Sequence, residues 1–344
     1  MKKLISIILI LCLLLTFAAA EKYPAVQETA DMTAEELYEA GVAAVDAGEY
    51  EKAKGLFEQG VEKGSAGALN GLGALYHNGF GVEQSYEKAA EYYRLSADQG
   101  YASAQVKYGY FCEMGWGVEQ SYEKAAEYYR LAADQGDMIG QFDLAIAYEE
   151  GFGVEQSYEK AMEYYQRSAN QGYEYAQYAL GWNYYYGVGV EQSYEKAAEC
   201  YRQAADQDFA PALIELGILY FEGEGVEQSG EKTMELFRRA ADLGEPLGLN
   251  NIGGLYEEGI GIEQSYEKAM EYYQQAVDQG CDYALISIGI LYENGWGVEQ
   301  STEKALEYYL EANSRDVPQA LDSLNGLIEA GKITEDYQVI SAGD

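Results

Sequence analysis

The chain has 344 residues and is strongly acidic: 59 aspartate and glutamate residues outnumber 22 lysine and arginine residues, for a net charge of −37. A surface this negative repels nucleic acid and anionic membranes, so we expect neither as a partner. It attracts cationic ligands, although a solvated, soluble surface explains the same composition.

Residues 1–20 have the layout of a secretory signal peptide. Two lysines precede an apolar run over residues 4–17, and three alanines ending at Ala20 offer a cleavage site. The run is short for a membrane span, and no later segment is apolar enough to cross a bilayer. We therefore predict a bacterial protein that is cleaved after Ala20 and exported to the periplasm or the extracellular medium.

Residues 21–32 are predicted to be a flexible linker. Residues 33–66 then have the pattern of a helical hairpin whose spacing is near that of the tetratricopeptide repeat. Thr33 and Glu36 are placed to form a capping box at the start of its first helix. The second helix is predicted over residues 51–62.

A 36-residue period governs residues 68–319. The pentapeptide Gly-Val-Glu-Gln-Ser begins at Gly81 and returns six times at the same interval, with valine changed to isoleucine in one copy. A fixed period of this size indicates a solenoid of stacked units. The seven predicted repeats are 68–103, 104–139, 140–175, 176–211, 212–247, 248–283 and 284–319.

Each repeat has the pattern of two helices joined by a glycine-rich turn. In the first copy, apolar residues recur at helical spacing over residues 68–76. Gly79 and Gly81 then end the helix, because glycine readily adopts the left-handed conformation. Ser85 is placed to cap a second helix over residues 86–98.

Two positions of the first helix vary little among the copies. The residue at Gly73 is always glycine or alanine, which predicts that another helix approaches closely there. The residue at Tyr76 is tyrosine in every copy except one, which has Cys112. A tyrosine suits a mostly buried position with one solvent-exposed end, because its ring packs in the core while its hydroxyl forms a hydrogen bond.

The array is predicted to end in a capping helix over residues 317–330. The C-terminal segment, residues 320–344, holds most of this helix and ends in a loose tail from residue 336. A terminal cap is expected because an open end would expose the core.

The repeats resemble the Sel-1-like repeat, a relative of the tetratricopeptide repeat. The motif Ala-x-x-x-Leu-Gly-x-x-Tyr-x-x-Gly-x-Gly is displayed from Ala176 to Gly189, and Tyr-Glu-Lys-Ala-x-x-Tyr-Tyr-x-x-Ala-Ala-x-x-Gly from Tyr122 to Gly136. The resemblance covers residues 68 to about 319. It implies an all-α fold, a right-handed αα superhelical solenoid whose first helices line the concave side, and work as an adaptor that holds other proteins together.

Two departures from the family pattern are visible. Ser85 and its equivalents stand where the family usually has aspartate, but both residue types cap helices well. Some secreted, cysteine-rich members carry a disulfide in each repeat and are associated with β-lactam binding. Here the cysteines that remain after cleavage are Cys112, Cys200 and Cys281, two repeats apart. That separation is roughly 20 Å, too far for a bridge, so we predict small buried apolar residues and do not transfer the activity.

Positions that differ among the copies are not required by the shared fold, and they are therefore candidate ligand contacts. Those at Gly71, Ala74 and Asn78 share one side of the first helix, which we call the variable face. Its later members are Lys107, Tyr110, Met114, Asp143, Ile146, Glu150, Ala179, Trp182, Tyr186, Glu215, Ile218, Glu222, Asn251, Gly254, Glu258, Ser287, Ile290 and Asn294.

Aromatic residues crowd this helix in the fourth repeat. Exposed tyrosine and tryptophan dominate the binding energy of interfaces, although rings that fill space between repeats would give the same pattern. Both interpretations stay open. The partner is predicted to be a protein or peptide in the concave groove, with a cationic ligand as one option. The predicted partner-binding residues are Tyr110, Tyr178, Trp182, Tyr185 and Tyr186.

The glutamate of each pentapeptide forms a second candidate. One such residue per repeat would line one edge of the solenoid. A calcium ion needs several oxygens within about 2.6 Å, whereas neighbouring repeats lie roughly 10 Å apart, so no metal site is expected. These residues are Glu83, Glu119, Glu155, Glu191, Glu227, Glu263 and Glu299.

No constellation typical of catalysis occurs. The single histidine, His77, is predicted to occupy an ordinary surface position, because other copies hold Glu, Tyr or Phe there. We predict no enzymatic activity and no cofactor, and a monomeric, secreted scaffold for protein–protein interaction. The alternative is a secreted hydrolase or β-lactam-binding protein of the cysteine-rich repeat type.

Overall fold

The computed structural model describes residue 29 and residues 31–340, so the predicted signal peptide and most of the predicted linker lie outside the described residues. The described chain is all-α. Its helices are α1 (Ala34–Asp46), α2 (Tyr50–Glu62), α3 (Ala66–Asn78), α4 (Tyr86–Ala97), α5 (Ala102–Met114), α6 (Tyr122–Asp134), α7 (Met138–Glu150), α8 (Tyr158–Asn170), α9 (Glu174–Tyr186), α10 (Tyr194–Ala205), α11 (Ala210–Glu222), α12 (Gly230–Asp242), α13 (Pro246–Glu258), α14 (Tyr266–Asp278), α15 (Tyr283–Asn294), α16 (Thr302–Ser314) and α17 (Gln319–Glu329).

The helices form an αα solenoid, as the sequence predicts. The helix pair α1 and α2 precedes seven pairs from α3 to α16, and α17 closes the series. The described chain divides into two compact units between Tyr164 and Tyr165, within α8. Inside each unit, consecutive helices pack against one another.

Two local predictions at the ends of the array have different outcomes. The capping box is confirmed, because the Thr33 hydroxyl accepts from the Glu36 N–H while the Glu36 carboxylate accepts from the Thr33 N–H. The loose tail is wrong for its described part. Ile333 is buried and pairs with Val339 through an isolated antiparallel bridge, which folds the tail back on the last helices.

The pentapeptide builds the turn inside each repeat. Ser85 accepts a hydrogen bond from the Lys88 backbone N–H, which confirms it as the cap of α4. Gln84 donates through Nε2 to the His77 carbonyl at 2.7 Å, which satisfies a free carbonyl at the end of α3. Both hydrogen bonds recur in the other six copies. The helix before the turn is longer than predicted, since Ser65 caps it and Gly79 ends it.

The small residue in the first helix makes room for an aromatic ring, which confirms the predicted close approach. A Cβ added at Gly181 would lie 2.5 Å from the Tyr201 ring of the second helix of the same repeat. The equivalent approach at Gly253 is by Tyr273, also at 2.5 Å. In six of the seven repeats the first helix is therefore held against its own second helix by a ring lying over a glycine.

The recurring tyrosine of the first helix has a contact that the sequence did not suggest. Tyr256 stacks on Tyr272 with ring centroids 5.5 Å apart, and the Lys268 Nζ lies 5.0 Å from the Tyr256 ring. The lysine contact recurs in five other repeats. The lysine of the repeated Tyr-Glu-Lys motif thus stabilises the helix pair through a cation–π interaction.

Candidate functional site

Three of the predicted binding residues form one group of contacting rings in the second unit, which we call the aromatic patch: Trp182, Tyr185 and Tyr186, at the end of α9. Trp182 is 41% exposed and Tyr186 is 59% exposed. The Tyr186 ring contacts Trp182 at 4.7 Å and Tyr185 at 4.8 Å between centroids. The first helix of the fourth repeat therefore presents a continuous aromatic surface to solvent.

Tyr178 lies outside the aromatic patch. It is half-buried and packs against Tyr201 and Phe209, with both ring centroids 5.6 Å away. Its ring fills space between helices α9 and α10. Tyr185 is also half-buried against the core, but its ring stays in contact with Tyr186 at the surface.

Tyr110 belongs to the first unit and lies in a separate ring cluster. It is 40% exposed and meets Trp116 edge-on at 5.3 Å. Trp116 also contacts His77 and stacks on Tyr86. The His77 side chain is half-buried, and its ring centroid lies 5.1 Å from that of Phe111. The prediction of an ordinary surface position is therefore wrong. Sequence reasoning missed this cluster because Trp116 lies in the turn, outside the helical pattern.

Two carboxylates, Glu222 and Glu224, border the aromatic patch, and a third, Glu215, lies near Tyr178. Burial raises the pKa of Glu215, which lies half-buried on α11. Burial and the neighbouring Glu224 raise the pKa of Glu222. Burial, followed by the charges of Glu222 and Glu224, raises the pKa of Tyr185 to about 12, which places those carboxylates beside the patch. No lysine or arginine of the described chain pairs with any of the three.

A buried hydroxyl next to the patch lacks a partner. In three other repeats the equivalent tyrosine donates to a glutamate on the first helix, as Tyr273 donates to Glu257 at 2.6 Å. The fourth repeat has Tyr185 at that glutamate position, and the Tyr201 hydroxyl makes no hydrogen bond within the described chain. Burying an unpaired hydroxyl costs stability.

We expect different effects on stability from removing these two hydroxyls. Tyr273→Phe should lower the free energy of unfolding by about 1–2 kcal/mol, because half-buried Glu257 loses its donor. Tyr201→Phe should leave stability unchanged or raise it by about 1 kcal/mol. Phe237 occupies the equivalent position in the fifth repeat, so a phenylalanine fits there. Thermal unfolding of both variants measures the two effects. Equal destabilisation by the two changes would contradict the assignment of an unpaired Tyr201.

The seven pentapeptide glutamates are all exposed. None of them makes a hydrogen bond or ion pair with another described residue, and no group of acidic, histidine or cysteine side chains in the described chain is arranged to hold a metal ion. They remain a solvated acidic series.

The three cysteines of the described chain are free thiols. Cys112 and Cys281 are buried, as predicted, whereas Cys200 is only half-buried. Burial raises the pKa of the Cys200 thiol to about 11, because the thiolate would be poorly solvated. Such a thiol is a weak nucleophile at neutral pH.

Comparisons with known proteins agree with this architecture. The family model described as Sel1 repeat matches residues 66–101, 102–137, 139–173, 174–209, 210–245, 246–281 and 282–317. No curated protein matches the chain. None of the helices α1–α17 is long and apolar enough to span a bilayer.

Two solved structures resemble the chain in sequence and fold. One is c5321, a protective antigen present in uropathogenic Escherichia coli strains and displaying an SLR fold, with 29% identity, a TM-score of 0.75, and coverage of 90% of this chain and 67% of that chain. The other is a Sel1 repeat protein from Oxalobacter formigenes, with 27% identity, a TM-score of 0.62, and coverage of 70% and 94%. Since the family model also spans most of the chain, the protein belongs to the Sel1 repeat family.

Proposed function

We propose that this protein is a secreted, non-catalytic scaffold that binds a partner protein through the variable face of its first helices. Sel1 repeat proteins are typically protein-interaction scaffolds and generally non-catalytic. The observation that carries the proposal for this chain is the exposed aromatic patch. Trp182 and Tyr186 together offer a large ring surface that the fold itself leaves uncovered.

The division between constant and variable positions supports this assignment. The constant glycine, glutamine and serine of the turn each have a role in the fold, as do the constant rings of both helices. Trp182 and Tyr186 vary among the repeats and contribute little to the core. Large exposed aromatic residues at positions free of structural demands are typical anchors of protein interfaces.

Export is the second element of the proposal. It is supported by the layout of residues 1–20 and by the strongly acidic, soluble composition of the rest of the chain. A protein or peptide partner that carries positive charge suits that composition. No observation specifically favours the alternative of a hydrolase or β-lactam-binding protein.

Chemical cross-linking of the exported chain in its host, read by mass spectrometry, tests the proposal. The wild type should retain a partner that the double variant Trp182→Ala, Tyr186→Ala loses by at least about tenfold, because hot-spot residues each supply 2 kcal/mol or more. Circular dichroism should be unchanged, since both side chains are exposed.

Tyr158→Ala serves as the matched control. Tyr158 is a 41% exposed tyrosine at the start of α8, the second helix of a repeat, and so does not belong to the variable face of the first helices; this variant should retain the partner. Equal recovery of the partner by the double variant and the wild type would refute binding through the aromatic patch.

A further inference from the structure

A cavity of about 280 Å³ lies in the second unit, on the variable face of the fifth and sixth repeats. Ile218, Phe221 and Glu222 of α11 form one wall, and residues of α13 form the opposite wall. The rings of Phe237 and Tyr273 close it from behind. Its volume is just below the range of about 300–1,000 Å³ that holds whole small molecules, so it suits a single side chain.

The cavity exists because one repeat lacks a side chain. The equivalent of Gly254 is isoleucine in three repeats and tryptophan in the fourth. A Cβ at Gly254 would meet only the Tyr273 hydroxyl, at 3.8 Å, so nothing in the packing requires glycine there. Glycine is also unfavourable inside a helix. Gly254 therefore weakens α13 without a structural gain, which points to a role for the space it leaves.

The lining and the rim of the cavity have different chemistry. Phe221, Phe237 and Leu255 contribute apolar side chains to the lining, whereas Glu222 and Glu258 are exposed at the rim. Neither rim carboxylate has a cationic partner within the described chain, and no lysine or arginine lines the cavity. An occupant that complements both parts has a flat or apolar stem and a positive end.

We propose that this cavity receives an arginine side chain of the partner protein. The guanidinium group stacks on aromatic rings and donates to two carboxylates at once through its planar fork, which a lysine ammonium does not do. Glu222 and Glu258 supply the acceptors, and Phe221 supplies a ring. The inference rests on the proposed function, since it names one anchor of the partner.

The arginine cavity and the aromatic patch share a border. Glu222 lines the cavity and also lies close enough to Tyr185 to affect its pKa. A peptide crossing the variable face from α9 to α13 would contact the patch first and place an arginine in the cavity next. Arginine and aromatic anchors are the residue types enriched at interface hot spots.

Nuclear magnetic resonance of the full chain with N-acetyl-arginine methylamide as the probe tests the assignment. Millimolar probe should shift the backbone amide of Gly254 and the side-chain amides of Asn250 and Asn251, which line the cavity. The citrulline counterpart, which has the same shape without charge, should bind about tenfold more weakly. Equal binding by the citrulline or lysine counterpart would overturn the arginine assignment.

Two variants separate binding from folding. Gly254→Ile fills the cavity with the residue that other repeats carry, and should abolish the probe-induced shifts while the thermal midpoint stays equal or rises. Gly326→Ile is the control, because Gly326 lies in a helix with open space around it and away from the cavity. Unchanged probe binding by Gly254→Ile would overturn the proposal.

Partner capture distinguishes this inference from the proposed function. If Gly254→Ile keeps the partner while the aromatic-patch variant loses it, the arginine assignment fails and the scaffold function stands. If both variants keep the partner, binding through the variable face fails as well.

Discussion

Gly225→Ala is expected to lower the free energy of unfolding by about 3 kcal/mol or more, because it combines backbone strain with a steric clash. Gly225 has a φ of +68°, where an alanine is strained. A Cβ there would lie 2.2 Å from the backbone carbonyl carbon of Tyr194, in the preceding repeat. Backbone cannot yield as a flexible side chain does, so neighbouring repeats would have to separate.

Gly244→Ala is the matched control for this substitution. Gly244 has a φ of +85°, yet a Cβ there would meet nothing within 4 Å. Gly244→Ala should therefore lower the free energy of unfolding only through backbone strain, by roughly 1–2 kcal/mol. Thermal unfolding followed by circular dichroism gives both values. Equal losses would show that the contact between repeats at Gly225 does not limit stability.

The same contact explains why the glycine of the pentapeptide never changes. Gly117 lies against the backbone of Tyr86, and Gly153 lies against that of Tyr122, each in the preceding repeat. The sequence displays this constancy, and the periodicity predicts the helix pairs. From the sequence, however, Gly81 could be assigned only the role of ending a helix. The contact of this glycine with the preceding repeat joins residues about 30 positions apart, and it can be recognised only once the repeats are stacked.

The candidate site was partly accessible from the sequence. Comparing the seven copies singled out Trp182 and Tyr186, and the structure places both at the surface. It also singled out Gly254 as variable, but a missing side chain creates a cavity only where the facing helix leaves the space unfilled. That depends on how α11 and α13 pack, which residue patterns do not specify.

Asp143 is expected to make the protein less stable as the pH rises. It lies half-buried on the variable face of α7, where burial, and then the charges of Glu113 and Asp137, raise its pKa from 3.8 to about 7. Between those values the folded state binds more protons than the unfolded state, so unfolding becomes easier with increasing pH. This stabilisation is complete below about pH 4 and lost above about pH 7.

Asp143→Asn removes that dependence, because asparagine resembles the protonated acid at every pH. The variant should be more stable than the wild type at pH 8, by up to about 4 kcal/mol, the free energy that corresponds to raising a pKa from 3.8 to about 7. The difference should vanish near pH 4. Thermal midpoints of the variant and the wild type from pH 4 to pH 8 measure this difference. Asp134→Asn, at an exposed position at the end of α6, controls for the change in net charge. If the two variants differed from the wild type equally at every pH, the gain would come from reduced overall repulsion, and the buried carboxylate of Asp143 would not be its cause.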